Sequence, residues 1–416
     1  MRTLYLCYFG LREPLVQTQV LPYLRELIRG GIGVHLLTFE PRGNRAWGKG
    51  AREEWRARLE SQGIQWRSLE YHKRPSLPAT LYDIAAGALT AVRLVRREEI
   101  DVMHARGYVP AAMGALAKWR AGGKLIFDIR GFMAEEYVDA GVWPEGGLLY
   151  RLTKMAEKRL LRASDGFVVL TEKARKTLFP PDGERRPVEV IPCCVDAERF
   201  RAFDEESRDD LRRKLNLEGR RVIIYVGALG GWYLTDEMAE LMAIARCKDA
   251  STFSMVLTQS PPEMVIRRLS ALGMSESDYL VRKVAPEDVP RYLKAADFAV
   301  LLIKPCYSKI SSSPTKIAEY LASGLPVISN AGIGDLDDLI AEDNVGALLD
   351  AFNWESYEQA LEKMGRLLLD QGVAERCRES ARKRFDLASV GGARYRRLYR
   401  RMFEKECGVD HHFDHR

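Results

Sequence analysis

The sequence predicts an α/β protein made of two doubly wound parallel sheets. Three observations predict it. Short apolar runs alternate with stretches of helical period along most of the chain, the alternation breaks once after Ile191, and 416 residues suffice for two or three domains.

The first strand is read at Leu4 to Phe9. A helix follows over Pro14 to Arg29, with Val20, Tyr23, Leu24, Leu27 and Ile28 at helical spacing and Gly30-Gly31 as its stop, and Gly33 to Phe39 resumes as a strand. Further strands are expected at Ile64 to Leu69, Ile100 to His104, Lys124 to Asp128, Gly166 to Leu170 and Val188 to Ile191. Pro192 through Arg213 carries no apolar period-two run and reads as a domain connection. A second series begins at Arg221 to Val226 and continues through Phe253 to Leu257, Tyr279 to Val284, Asp297 to Ile303, Pro326 to Ser329 and Gly346 to Leu349. Helices are expected at Thr235 to Cys247, Pro286 to Ala295, Trp354 to Leu369, Gly372 to Phe385 and Ser389 to Met402. The domains are therefore 1–190 and 191–385, with a terminal helix and tail at 386–416. Open parallel sheets take ligands at the carboxyl ends of their strands, so the crevice between the domains is where a nucleotide or its sugar would sit.

Composition narrows the class. A hydrophobic fraction of 46% beside 29% charged residues is that of a folded globular chain, and +6 over this length does not argue for nucleic acid. No apolar run approaches the roughly 18 residues of a membrane span, and the start lacks a signal-peptide pattern, so a cytoplasmic chain is expected. The seven cysteines are scattered, without CxxC or histidine at ligand spacing, and read as reduced thiols with no metal site. His411, His412 and His415 read as part of a disordered terminus.

The stretch richest in chemistry runs from Ile303 to Ile328, as strand, loop, helix, strand. Ser313 is expected as N-cap, Pro314 as first helical residue, and Gly324 with Pro326 as the stop. A helix start presents backbone donors and a positive dipole end; Ser312, Ser313, Thr315 and Lys316 add side-chain donors suited to a diphosphate. Glu319, one turn after Lys316, could accept hydrogen bonds from two vicinal ribose hydroxyls. A capped core helix with solvated Lys and Glu is the alternative.

The run Lys316-Ile317-Ala318-Glu319-Tyr320-Leu321-Ala322-Ser323-Gly324-Leu325-Pro326-Val327-Ile328 resembles the donor-binding segment of GT-B nucleotide-sugar glycosyltransferases, in particular family 4. Ile191-Pro192-Cys193-Cys194-Val195-Asp196 is similar to that family's interdomain segment, and Gly10 through Leu24 resembles bacterial members that build surface polysaccharides. The resemblance implies two Rossmann-like domains facing across a cleft, with C-terminal helices packing back toward the first domain. It implies transfer of a sugar from a nucleotide diphosphate donor to a glycan or lipid-linked acceptor, with retention and without metal or other cofactor. By resemblance, Glu319 binds the ribose and the helix start binds the diphosphate.

Three departures follow. Ser311 stands where the family often has a glutamate on the donor sugar. Gly227-Ala228-Leu229-Gly230-Gly231-Trp232-Tyr233 lacks the family's Arg and Lys, so Lys316, or Lys309 or Lys304, must supply positive charge. Asp128 stands where many members have a histidine. With Arg130 it is expected to face the crevice, either steadying an oxocarbenium-like sugar or acting as base on the acceptor; an Asp128–Arg130 pair that shapes the loop is the alternative. His104 ends a strand and either lines the crevice or is a core histidine. Gln17 and Thr18 follow the first strand without a GxGxxG pattern and are expected at donor or acceptor, or as helix-start caps. Gly332 and Gly334 would let backbone approach the donor. The acidic run Asp335 to Asp338 suits a helix N-terminus better than a metal.

From Arg42 to Arg97 twelve cations stand against five carboxylates, with Trp47, Trp55 and Trp66 among them. That composition suits contact with anionic membrane, or a merely solvated surface. A nucleotide-sugar epimerase or hydrolase of the same fold, and a non-catalytic nucleotide- or glycan-binding protein, fit the same residues.

Overall fold

The computed structural model describes residues 1–41, 47–48, 50–180, 183–201 and 207–404. Cys407, the tail histidines and residues 42–46 and 49 of the basic stretch lie outside the described residues.

Two all-parallel sheets form. The first has seven strands: β1 Arg2–Cys7, β2 Gly33–Glu40, β3 Ile64–Glu70, β4 Val102–Arg106, β5 Lys124–Asp128, β6 Gly166–Val169 and β7 Val188–Val190, in the order β3-β2-β1-β4-β5-β6-β7. The second has six: β8 Arg221–Val226, β9 Thr252–Leu257, β10 Tyr279–Arg282, β11 Phe298–Leu301, β12 Val327–Asn330 and β13 Gly346–Leu349, ordered β10-β9-β8-β11-β12-β13. In each sheet the order reverses at its first strand, which opens the crevice there. Apart from the edge strands β3 and β10, the strands are short and largely buried on both faces because helices cover both sides.

One core face of the first sheet packs under helices Ser76–Arg97, Tyr108–Ala121 and Leu148–Ala163, around Leu6, Met113, Leu125 and Phe127. The opposite face packs under Leu21–Arg29 and, from the far end of the chain, Ala393–Arg401. Tyr395, Leu398 and Tyr399 of that last helix are at most 1% exposed. At roughly 1.5–3 kcal/mol per large apolar side chain, their burial contributes about 5–9 kcal/mol toward holding the segment in place. The turn Leu387–Gly392 delivers the helix, and its two glycines are required by close approach. A β-carbon on Gly391 would lie 2.7 Å from Tyr23, and one on Gly392 2.8 Å from Glu26. The chain thus returns to the first domain.

Three local expectations are corrected. Pro14 to Arg29 is two helices, Pro14–Gln19 and Leu21–Arg29, because Pro22 has no N–H to continue the first. The helix after β11 is Thr315–Ala322 with Pro314 as N-cap; Ser313 lies one residue outside, its Oγ accepting instead from the Cys193 N–H at 3.1 Å. The terminal helix begins at Ala393, after the wider turn.

Among the described residues no helix is long and apolar enough to cross a membrane. The tryptophans of the basic stretch pack inward: Trp47 lies 5.5 Å from Trp66 and 6.3 Å from Trp55, its indole N–H donates to Glu40, and Trp66 is 5% exposed. They do not offer the membrane-facing aromatic surface that the composition of the stretch suggested.

Candidate active site

β8 ends at Val226, and Gly227 opens the loop that faces the Thr315–Ala322 helix. Lys316, in the first turn of that helix, lies across this loop, its Nζ 3.4 Å from the Tyr233 ring centroid and 5.5 Å from that of Tyr225. Residue 227 must be glycine for this to happen. Its φ is +147°, and a β-carbon would stand 2.0 Å from Lys316 Cε. Burial, only partly offset by Glu319, pulls the Lys316 ammonium down to about 7. Glu319 lies one turn further, and burial pushes its carboxyl up although Arg199 and Lys316 pull it down. Tyr320, in the same helix, accepts the Val226 N–H at 2.9 Å and fixes the helix against β8.

A lysine whose pKa is lowered to about 7 beside a carboxyl held above its ordinary range is a pair that a polyanion and hydroxyl groups could satisfy. A diphosphate beside Nζ restores the lysine's charge, and ribose hydroxyls can donate to Glu319.

The other expected residues divide. Gly332 and Gly334 both have positive φ, and Gly334 permits contact between the loop after β12 and Ser312, whose carbonyl oxygen would lie 2.0 Å from a β-carbon there. Ser312 and Thr315 are half-buried at the helix start. Ser311 does not reach outward: it is 2% exposed, and its hydroxyl donates to the Ser308 carbonyl at 2.7 Å. Lys309 is 5% exposed, its Nζ 3.8 Å from the Trp232 ring centroid and 3.6 Å from Glu136 of the first domain. Its charge holds the domains together, whereas Lys304 reaches the Asp139 carbonyl oxygen at 3.2 Å. Lys316 is therefore the lysine that the structure sets beside Gly227.

The first-domain expectations are corrected more strongly. Asp128 does not face the crevice; its side chain is fully enclosed. It lies 3.3 Å from Arg130, 3.6 Å from Arg106 and 3.7 Å from His104 Nε2, and it accepts from the Tyr395 hydroxyl at 3.3 Å. Burial pushes the Asp128 carboxyl up, but Arg130, His104 and Arg106 overcome it and hold the group well below the usual carboxylate range. His104 is likewise a core residue, with Nδ1 2.9 Å from the Tyr399 hydroxyl and burial lowering its pKa. Together they fasten the returning helix to β4 and β5. Arg130 is 14% exposed and reaches from Asp128 to the Cys193 sulfur at 3.6 Å. Gln17 donates to the Leu11 carbonyl at 2.6 Å and Thr18 to that of Pro14 at 2.9 Å, so both side chains serve their own segment.

Sequence reasoning missed the aromatic bed of Tyr225 and Tyr233 and the interdomain clasp. In the clasp, Asp139 accepts the Ser308 N–H at 2.8 Å, Thr171 donates to the Ile310 carbonyl at 2.8 Å, and Asp335 accepts the N–H groups of Glu172 and Lys173 at 2.7 and 3.1 Å. Asp335 thus caps a helix of the opposite domain. Among the described residues no three His, Cys, Asp or Glu are grouped to hold a metal ion.

This architecture, two parallel-sheet domains about a crevice with a returning C-terminal helix, is that of the GT-B class. Residues 16–194 match the glycosyl transferase 4-like domain and residues 207–384 the glycosyl transferases group 1 domain, so the chain belongs to the family 4-like GT-B glycosyltransferases. It is 26% identical over 316 residues to a D-inositol 3-phosphate glycosyltransferase of Salinispora tropica, covering 72% of this chain and 63% of that relative. A Salinispora arenicola relative of the same name is 26% identical over 74% of this chain and 70% of its own length. Among solved structures, the sucrose-phosphate synthase of Thermosynechococcus elongatus superposes with a TM-score of 0.72 at 15% identity, covering 97% of this chain and 99% of that one. Anabaena HepE, solved with UDP and glucose, superposes with a TM-score of 0.66 at 17% identity, over 96% and 100%.

Proposed function

We propose that the protein transfers a glycosyl group from a nucleoside diphosphate sugar to a hydroxyl acceptor seated against the first domain. The observation that carries this is the Lys316–Glu319 pair, one turn apart at a helix start, with Lys316 laid over Gly227 and near neutrality. The diphosphate's negative charge would favour the ammonium form of Lys316, which takes its proton from solvent, and its oxygens would meet the start of the Thr315–Ala322 helix, while Glu319 takes the ribose hydroxyls. Positive charge at Lys316 would grow in value as the bond to the sugar breaks.

Because Asp128 is sealed, it does not serve as base on the acceptor. In this reading the departing diphosphate is the base on the incoming hydroxyl, on the face it leaves, a course that would give retention and call for no metal. Neighbours crystallised with UDP support a uridine nucleotide as the first donor to try. The acceptor class is a glycan or lipid-linked saccharide of surface-polysaccharide assembly. The relatives' names favour a second class, a phosphate-bearing polyol.

The test is product analysis with labelled nucleotide sugars and a panel of both acceptor classes. Transfer with an α-linked product from an α-linked donor supports the proposal. Sugar released at the same rate without acceptor would identify a hydrolase, and nucleotide binding without turnover across the panel a non-catalytic protein.

A further inference from the structure

Helices Ser76–Arg97, Tyr108–Ala121 and Leu148–Ala163 form one layer on the first sheet, and their outer surface is unusual in both apolar content and charge. Leu77, Leu81, Tyr82 and Leu89 of the first, Leu116 and Trp119 of the second, and Leu148, Leu149, Leu152 and Met155 of the third are each between 40% and 76% exposed. Ten large apolar side chains on three neighbouring helices exceed the scattered exposure of an ordinary surface.

The charges on these helices have one sign outward. Arg93, Arg96, Arg97, Arg120, Arg151, Lys158, Arg159 and Arg162 are exposed. The two carboxylates in the three helices are turned inward: Asp83 is 0% exposed and bonded to Tyr8 and His72, and Glu157 is 4% exposed and bonded to Tyr108 and Lys154. Just past the first helix, Glu98 lies against Arg67 and Arg97, and Glu99 against Arg2.

Each helix precedes the next strand of a parallel sheet, so all three run against the strands. Their N-terminal halves lie at the carboxyl edge, beside the crevice. That places Leu77, Leu81, Tyr82 and Leu148 to Met155, with Arg151 among them, at the crevice end and Leu89 at mid-helix, with Leu116, Trp119, Arg93 to Arg97, Arg120 and Lys158 to Arg162 toward the opposite end. A layer with an apolar band that contains Tyr82 at one edge, and arginines with Trp119 toward the other, matches a bilayer surface, which offers apolar depth and negative charge in one plane.

We infer that this layer docks on an anionic lipid bilayer, with the apolar band inserted and the crevice opening along the membrane. The inference goes beyond the transfer reaction and does not rest on it. It also replaces the inward-packed tryptophans of the basic stretch as the membrane-facing surface.

The experiment is co-sedimentation of the full chain with vesicles of phosphatidylcholine alone and of phosphatidylcholine mixed with phosphatidylglycerol, at low and high salt. The parent should sediment with the mixed vesicles, and less so at high salt. Arg159→Gln with Arg162→Gln should weaken partition roughly thirtyfold, since each surface cation contributes about 1 kcal/mol. Leu148→Ser with Leu152→Ser should weaken it roughly tenfold or more. All four positions are exposed, so both variants should keep the parent's melting temperature; should either not, the parent's dependence on lipid charge and salt decides alone. Equal sedimentation with neutral and mixed vesicles, none with either, or a concentration-dependent dimer abolished by the leucine substitutions would overturn the inference.

Discussion

Lys316 lies across Gly227, closely enough that a single methyl group at residue 227 would fall 2.0 Å from the lysine's Cε. The missing side chain of one domain element makes the channel for the charged side chain of another.

Gly227→Ala should therefore evict Lys316 from the Tyr233 ring. With φ at +147° and a clash added, destabilisation of roughly 1–3 kcal/mol is expected, with a larger loss of nucleotide affinity than of thermal stability. Calorimetric binding beside denaturant melts separates the two effects.

The Lys316 ammonium, ordinarily near 10.5, stands at about 7 in the folded chain. Between those values the unfolded chain holds a proton that the native chain lacks, so this group makes stability rise with pH from about 7 to about 10.5. Lys316→Met should abolish that rise, which urea titrations across the range would reveal. The same shift predicts that diphosphate binding at pH 8 takes up a proton. Binding enthalpies in buffers of differing ionisation heat should differ for the parent and agree for Lys316→Met.

Asp128 binds Arg106, Arg130 and Tyr395 in the enclosed space under the returning helix. Asp128→Asn leaves two buried guanidinium groups short of their counter-ion and should cost roughly 3–5 kcal/mol, against about 1 kcal/mol for Tyr395→Phe. Its depressed pKa means that its contribution is full above the unfolded value near 3.9 and is lost as pH falls below it. Acid titration of the parent and Asp128→Asn should show the difference in midpoint closing below that pH.

Asp335 caps the Glu172–Leu178 helix across the domain boundary. Asp335→Ala should destabilise by about 1 kcal/mol and open the domains, visible as a larger radius of gyration in solution scattering.

Much of this was legible in the sequence. The two strand series and the break after Ile191 follow from apolar periodicity, and Lys316 with Glu319 from the spacing of a marked helix. Pro22 alone was enough to split the first helix, a signal that apolar spacing overrode. Asp128 was misread because a strand's end does not say what covers it; the cover, Tyr395 and Tyr399, arrives from nearly 270 residues later, at separations no local pattern carries. Lys309 failed for the same reason, since Glu136 and Trp232 meet it from distant elements.

The most direct test of the Lys316–Glu319 site is a thermal-shift panel of uridine, guanosine and adenosine diphosphates on the parent, Glu319→Ala and Lys316→Ala. A ligand at a hundred times its dissociation constant should stabilise by about 2.7 kcal/mol. One nucleotide that stabilises the parent and neither variant is the predicted result. Equal stabilisation of all three proteins, or none of a folded parent by any nucleotide, would contradict it.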